Sequence, residues 1–147
     1  MPDHVLKIED ILRFLPHRYP FLFIDRIERI VPGKEGIFAV NRSTDNFFSS
    51  NRVPPSFSQS LLLEMMAEAA VLILISSQPP EEASKGRDGF LLKMDQVLFF
   101  QLPREGDRMV IAIEKTHSLG KLHRFSGEVR TGDSLLVSGE LTLWQDE

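Results

Sequence analysis

Apolar and polar residues alternate over most of the second half of the chain, which is typical of β-strands with one buried face. The alternation predicts four strands, at residues 89–102, 109–117, 123–130 and 135–144, the first of them long enough to be bent or bulged. The turn-forming residues between the last three of these strands come at hairpin spacing, which predicts an antiparallel meander. In the first half, strands at 21–31 and 36–42 flank a Pro32-Gly33 turn, after a short helix at 8–15.

One long helix separates the two groups of strands. From Leu61 to Ile75 every residue is apolar or small except Glu64 and Glu68. We expect Ser58 to cap this helix and the helix to run to about Ser77, before Pro79-Pro80. A helix that is apolar nearly all round is buried on most faces. It is too short for the ~20 residues of a bilayer span, and two carboxylates are costly in lipid, so we expect no membrane segment.

These elements predict one α+β domain over residues 1–147, an antiparallel sheet wrapped around a long central helix. The length is that of a single domain, and 42% hydrophobic residues allow a core of ordinary size. The chain has no cysteine, which excludes disulfides and a thiolate nucleophile and suits a reducing cytoplasm. Its amino terminus lacks the basic and apolar segments of a secretory signal.

Charge and histidine content limit the possible functions further. The net charge is −4 and no basic cluster is present, which argues against nucleic-acid binding. Four histidines are scattered along the chain, and their spacing fits no metal site. We expect a structural role for His17 and solvent exposure for His117 and His123, which flank a hairpin turn.

Four segments, in order, carry a resemblance to one known family. The run Leu15-Pro16-His17-Arg18-Tyr19-Pro20-Phe21-Leu22-Phe23-Ile24-Asp25-Arg26 resembles the amino-terminal signature of the FabZ-type 3-hydroxyacyl-acyl-carrier-protein dehydratases. Asn46-Phe47-Phe48 resembles the lead-in to their catalytic loop. Leu63-Glu64-Met65-Met66-Ala67-Glu68-Ala69 resembles their central helix, and Pro103-Arg104-Glu105-Gly106-Asp107 their turn after the long strand.

The resemblance implies a hot-dog fold and a homodimer that shares one continuous sheet, often assembled as a trimer of dimers. It implies an active site at each subunit interface, where an acyl thioester of a carrier protein, or of coenzyme A, lies in a tunnel beside the helix. The family removes water from the 3-hydroxyacyl group to give the trans-2-enoyl thioester. No metal or organic cofactor is implied.

The sequence departs from the family at the catalytic histidine. The family has Gly-His-Phe-Pro-Gly after the paired aromatics, whereas this chain has Ser49-Ser50-Asn51-Arg52-Val53-Pro54-Pro55-Ser56. No histidine occurs between His17 and His117. Counting from Phe48 puts Asn51 at the histidine position, and counting back from Glu64 puts Ser50 there. Neither side chain can act as the base at neutral pH, because Asn does not titrate and Ser needs its own base.

Two carboxylates remain as candidates for the chemistry. Glu64 matches the family's glutamate, which handles the departing hydroxyl. Glu68 is a weaker candidate, since the family has Gln there and a structural hydrogen bond is the alternative. They are four residues apart on one helix, so we expect them to share an apolar face. At least one is then protonated near neutral pH, or is held ionised by a hydrogen-bond donor or a basic group of the partner subunit. The alternative is that Glu68 turns into the dimer interface and pairs with an arginine, which leaves Glu64 alone. For substrate binding the resemblance implies the loop and the start of the helix: Ser50, Asn51, Phe57, Ser58, Gln59 and Ser60.

The sequence therefore predicts an acyl-thioester-binding member of the dehydratase family with weakened or altered activity. Two alternatives stay open. One is a non-catalytic subunit that pairs with an active homologue, which could supply the missing histidine. The other is a hot-dog thioesterase in which Glu64 attacks the thioester or activates water.

Overall fold

The strands and the long helix follow the order expected from the sequence. In the computed structural model the described residues are 23–40, 55–77, 89–103 and 107–145. The expected helix at 8–15 lies outside them. The described elements are β1 (Arg26–Val31), β2 (Glu35–Val40), α1 (Pro55–Ser76), β3 (Gly89–Phe99), β4 (Met109–Leu119), β5 (Leu122–Thr131) and β6 (Ser134–Gln145).

All six strands form one antiparallel sheet in the order β1-β2-β4-β5-β6-β3. The expected meander is confirmed, because β4, β5 and β6 are consecutive neighbours joined by two-residue turns with Gly120 and Gly132 at positive φ. The first strand, predicted at 21–31, is shorter in the structure, since residues 23–25 are not in a strand. The hairpin strands β4, β5 and β6 are each longer than the alternation indicates.

Strand β3 is irregular, as its length suggests. Its pairing with β6 shifts register between Leu91 and Lys93, and again between Asp95 and Leu98. Gln96, in the second bulge, has a φ of 51°. Opposite this bulge Gly139 leaves room, since a Cβ there would lie 3.1 Å from a Val97 methyl group. The bulge therefore depends on a glycine in the neighbouring strand.

Helix α1 packs against one face of the sheet and supplies much of the core. Its buried residues, together with those of the sheet's inner face, form one hydrophobic cluster that includes Phe38, Met66 and Phe125. The window Gln59–Ser76 is long and apolar enough to cross a membrane, but more than half of it is buried inside the domain. The helix is thus a core helix, as expected. The prediction that Ser58 caps it is wrong, because it begins at Pro55, and proline is well suited to a helix's first turn.

The turn between β1 and β2 holds the carboxyl end of α1. The Gly33 amide donates to the Ile73 carbonyl (3.2 Å) and to Ser76 Oγ (3.1 Å). Gly33 has a φ of 71°, and a Cβ on it would lie 3.1 Å from the Ser77 Cβ. Only glycine combines this conformation with so close an approach. The Ile73 carbonyl, in the last turn of the helix, thus accepts this bond as well as one from Ser76 Oγ at 2.6 Å.

Replacing Gly36 by Ala should destabilise the fold. A Cβ there would lie 2.7 Å from the ring of Phe38, which is fully buried, and 3.2 Å from the Arg29 carbonyl oxygen. We expect the free energy of unfolding to fall by about 1–2 kcal/mol, measured by urea denaturation. Gly127→Ala is the control, since its nearest neighbours are the flexible ends of Ile113 and Met66 at 3.1–3.2 Å. An equal loss in both variants would contradict this account.

Candidate active site on the central helix

Over residues 59–74 of helix α1, the side chains that are not buried lie along one stripe of the helix surface. Ser60 is exposed, and Gln59, Leu63, Glu64 and Val71 are half-buried, whereas most other positions of the helix are buried. The spacing of Ser60, Glu64 and Val71 is that of one helix face. A ligand or a second chain can reach α1 along this stripe.

Glu64 is the one carboxylate on this open stripe. It lies between Leu63, which is half-buried, and Met65, which is fully buried. A carboxylate in such a setting costs free energy unless it has hydrogen-bond donors or a function. Ser60 lies one turn before it, so a hydroxyl and a carboxylate share the stripe. The arrangement can form hydrogen bonds with a polar group at the end of an apolar chain.

Glu68 has different surroundings, although it is only one turn away. It is fully buried within the single chain, and its Oε1 accepts a hydrogen bond from the Phe23 backbone amide at 3.1 Å. This contact ties α1 to the segment that leads into β1, which favours the structural role. The burial of Glu68 within the single chain argues against the alternative in which it pairs with an arginine across a dimer contact. Nothing in the sequence indicated Phe23 as its partner.

Several predicted site residues cannot be placed. Ser50 and Asn51 lie outside the described residues, and so do the side chains of Phe57 and Ser58, whose backbone belongs to the first turns of α1. Gln59, Ser60 and Glu64 are the predicted residues that the structure brings together. That these three residues contact the substrate remains a prediction.

The two histidines in the described part of the chain lie at the β4–β5 hairpin, not on α1. His117 is exposed as expected, and its Nδ1 lies 3.1 Å from Thr116 Oγ1. His123 is half-buried, which corrects the expectation of full exposure, and its Nδ1 lies 2.9 Å from Ser118 Oγ. Burial, and secondarily the charge of Lys115, lowers the pKa of His123 below its usual 6.5.

The lowered pKa of His123 makes stability depend on pH. The unfolded chain binds this proton more readily than the folded one, so the stabilising contribution is present above about pH 6.5 and is lost as the pH falls through the folded value. Replacing His123 by Gln should flatten the decline in unfolding free energy on acidification, and His117→Gln is the control. NMR titration of the His123 ring should give a midpoint below 6.5. A midpoint above that value would contradict the assignment.

No protein-family model matches the sequence. Among curated proteins, the 3-hydroxyacyl-[acyl-carrier-protein] dehydratase FabZ of Syntrophomonas wolfei is 30% identical over 137 residues, 92% of each chain. The FabZ of Shewanella woodyi is 32% identical over 141 residues, 94% of this chain and 91% of that protein. The chain belongs to the FabZ-type 3-hydroxyacyl-acyl-carrier-protein dehydratase family.

Solved structures confirm the hot-dog fold. The dehydratase heterocomplex ApeI:P from Xenorhabdus doucetiae is similar with a TM-score of 0.73 at 22% identity, over 93% of this chain and 91% of that one. A hypothetical thioesterase from Streptococcus pneumoniae, solved with coenzyme A, has a TM-score of 0.58 at 14% identity, with 82% and 84% covered. The uncharacterised protein PH1136 from Pyrococcus horikoshii reaches 0.65 at 16% identity, over 92% of each chain. At these identities the likeness concerns the fold alone.

Proposed function

We propose that this FabZ-family protein binds 3-hydroxyacyl thioesters of an acyl carrier protein, or of coenzyme A, in fatty-acid or polyketide-like metabolism in the cytoplasm. Its dehydratase activity is weakened or altered, because a residue that cannot act as a base takes the place of the family histidine. Family membership supports the substrate class. The position of Glu64 on the open stripe supports a site in which its carboxyl group still contacts the 3-hydroxyl group of the substrate.

The open stripe on α1 is the observation that carries the proposal. An acyl chain is apolar along its length and polar at the thioester and the 3-hydroxyl. The stripe offers the same combination, with Leu63 and Val71 beside Glu64 and Ser60. Glu68 accepts a backbone hydrogen bond inside the domain, as a structural glutamate does. Glu64 instead faces the part of the helix that another molecule can reach.

A homodimer would cover this stripe and the free edge of β3. Strand β3 and the residue after it expose five large apolar side chains, Leu91, Leu92, Leu98, Phe99 and Phe100. The other free edge, β1, instead carries the ion-paired Arg26 and Glu28, with Arg29 also exposed. Charged edges resist pairing, and apolar edges favour it. The β3 edge is therefore the one that extends into a second copy, and such dimers could assemble further as a trimer of dimers.

The main alternative is a non-catalytic subunit. The same apolar β3 edge could pair with an active homologue whose loop supplies a histidine to a shared site. The Xenorhabdus neighbour is described as a dehydratase heterocomplex, so this fold does form mixed assemblies. A second alternative is thioester hydrolysis with Glu64 as nucleophile or base, for which the coenzyme A-bound thioesterase offers a fold-level parallel only.

One assay separates these functions. Purified protein is incubated with a 3-hydroxyacyl carrier protein, and mass spectrometry scores enoyl product, free acid and bound unreacted substrate together. Slow enoyl formation supports the proposal, free acid supports the thioesterase, and binding without either product supports the non-catalytic subunit. Glu64→Gln should abolish any turnover, while Glu28→Gln, on β1, should not alter it. Absence of binding would refute the proposal.

A further inference from the structure

Strand β3, at one edge of the sheet, has a chemical pattern that is symmetric about its own centre. The strand spans eleven residues, Gly89–Phe99, so Met94 is its middle residue. It pairs with β6 on one side, and within the described part of the chain no strand lies on its other side. The edge is therefore free to pair with another chain, and its symmetry limits which chain fits and in which register.

Two bulges lie at equal distances from the centre of β3. Relative to β6, the first extra residue is Leu92, and the second is in the segment Gln96-Val97, where Gln96 has a φ of 51°. Leu92 and Gln96 are each two residues from Met94. A bulge bends a strand and interrupts the regular spacing of its hydrogen-bonding groups. A strand that pairs along β3 therefore fits best when it has a bulge at each of the same two levels.

The charged residues of β3 are placed symmetrically too, with opposite signs. Met94 packs against the core, so its neighbours Lys93 and Asp95 point to the outer face of the sheet, away from α1. Lys93 Nζ lies 3.3 Å from Asp95 Oδ2, and the Lys93 side chain is 62% exposed. Asp95 also lies directly opposite Glu140 of β6, and like charges in that arrangement destabilise a sheet. A second positive charge on the open side of β3 would offset this repulsion.

We propose, on the basis of the homodimer in the proposed function, that two copies of β3 pair antiparallel about a two-fold axis through Met94. With the axis at the middle residue, every residue of β3 lies opposite a residue of the other copy. Lys93 of each copy lies opposite Asp95 of the other, so two pairs of opposite charges flank the axis. Leu92 lies opposite Gln96, so each bulge faces a bulge.

The same register joins the apolar faces of the two sheets. Leu91 and Val97 are each three residues from Met94, so Leu91 of one copy lies opposite Val97 of the other. Leu91 pairs with the buried Leu143 of β6 but is itself 44% exposed in the single chain. Val97 packs against the core. The contact therefore removes an exposed leucine from water on the face against which α1 packs.

Neighbouring registers lose these matches. Directly opposed residues of antiparallel strands point to the same face, so the nearest other symmetric registers have their axis at Lys93 or at Asp95. Each of these sets two like charges against each other on the axis and places both bulges opposite regular strand. A homologous chain would pair as well only if its edge had the same order of bulges and charges. The pattern thus selects a second copy of this chain.

Single cysteines test the register in the full chain, which has no cysteine of its own. Directly opposed residues of antiparallel strands have Cα atoms about 4.5–5.5 Å apart, within the reach of a disulfide. Met94→Cys should therefore give a covalent dimer on mild oxidation, scored on a non-reducing gel. Lys93→Cys and Asp95→Cys should each fail to do so alone, because equivalent residues are then diagonal neighbours at ~7–8 Å. An equal mixture of these two variants should cross-link.

Charge reversal tests the selection of a second copy. Lys93→Asp should weaken dimerisation about tenfold in sedimentation at low salt, since like charges then face each other at two places. Asp95→Lys should have a similar effect. An equal mixture of the two variants should recover most of the lost affinity, because each opposed pair again has opposite signs. Lys34→Asp, in the turn between β1 and β2, is the charge-matched control and should leave the affinity unchanged.

The results that overturn the proposal are distinct from failure of the proposed function. Cross-linking of Lys93→Cys or Asp95→Cys alone, without that of Met94→Cys, would show a shifted register. A wild-type chain that sediments as a monomer, or a charge-reversed mixture no tighter than either variant, would refute the selection of a second copy. A chain that cross-links through Met94→Cys but binds no 3-hydroxyacyl carrier protein would retain this contact and refute only the function. Circular dichroism of each variant confirms that it is folded.

Discussion

Purified protein should convert a 3-hydroxyacyl carrier protein to the enoyl product about 10²–10⁴-fold more slowly than a histidine-bearing FabZ dehydratase, because loss of a general base typically has an effect of that size. The α-proton must still be removed, and neither Ser50 nor Asn51 can accept it at neutral pH. Initial rates of both proteins with the same substrate, followed by mass spectrometry, measure the difference. A rate equal to that of the relative would show that another group supplies the base.

A histidine at the correct position of the loop should recover part of this activity. Asn51→His and Ser50→His represent the two possible alignments, so we expect one of them, not both, to raise the rate at least tenfold. Ser49→His is the control, since it adds an imidazole outside both alignments. Adding Glu64→Gln to the active variant should cancel the gain, because the hydroxyl then lacks its acid. A gain that survives this change would contradict the role proposed for Glu64.

Replacing Glu68 by Ala should lower the free energy of unfolding by about 3 kcal/mol. The change leaves the buried Phe23 amide without its acceptor, which costs about 1–3 kcal/mol, and removes side-chain volume from a filled core. Glu68→Gln retains a carbonyl oxygen at the Oε1 position, so we expect a loss below about 1 kcal/mol and unchanged activity. Urea denaturation monitored by circular dichroism gives both values.

The comparison of the two variants decides what Glu68 does. Equal losses in Glu68→Ala and Glu68→Gln would mean that the ionised carboxylate, and not merely an acceptor, is required. A stable Glu68→Gln variant with altered product formation would instead restore Glu68 as an acid–base group. The hydrogen bond to Phe23 predicts neither result.

The local sequence determined the secondary structure and the fold class. Alternation with period two marks the strands after residue 89 because one face of this sheet is buried and the other is not. Glycines at positive φ mark the hairpin turns because other residues are strained there. The run Leu61–Ile75 indicated a buried helix because no polar face interrupts it. The helix start was misplaced by three residues, since proline suits the first turn as well as serine suits the cap.

Only the tertiary structure decided which of the two glutamates is buried and which is accessible. Helical spacing places Glu64 and Glu68 on neighbouring positions, and sequence offers no means of distinguishing them. The difference arises because α1 is covered unevenly: the segment before β1 packs over Glu68 and provides a backbone donor, while the stripe with Glu64 stays open. Burial depends on which distant segment covers a residue, and that information is not local.

The charged neighbours on the outer face of the sheet likewise exist only in the folded protein. Asp95 lies opposite Glu140, and Glu35 opposite Glu114, although the residues of each pair are far apart in the chain. Single charges along each strand indicate merely a solvated face, and only the register between strands makes these carboxylates neighbours. The sequence thus determined which residues face outward, because side chains alternate along a strand. Only the pairing of strands decided which charges become neighbours, because register is set by contacts between segments far apart in the chain.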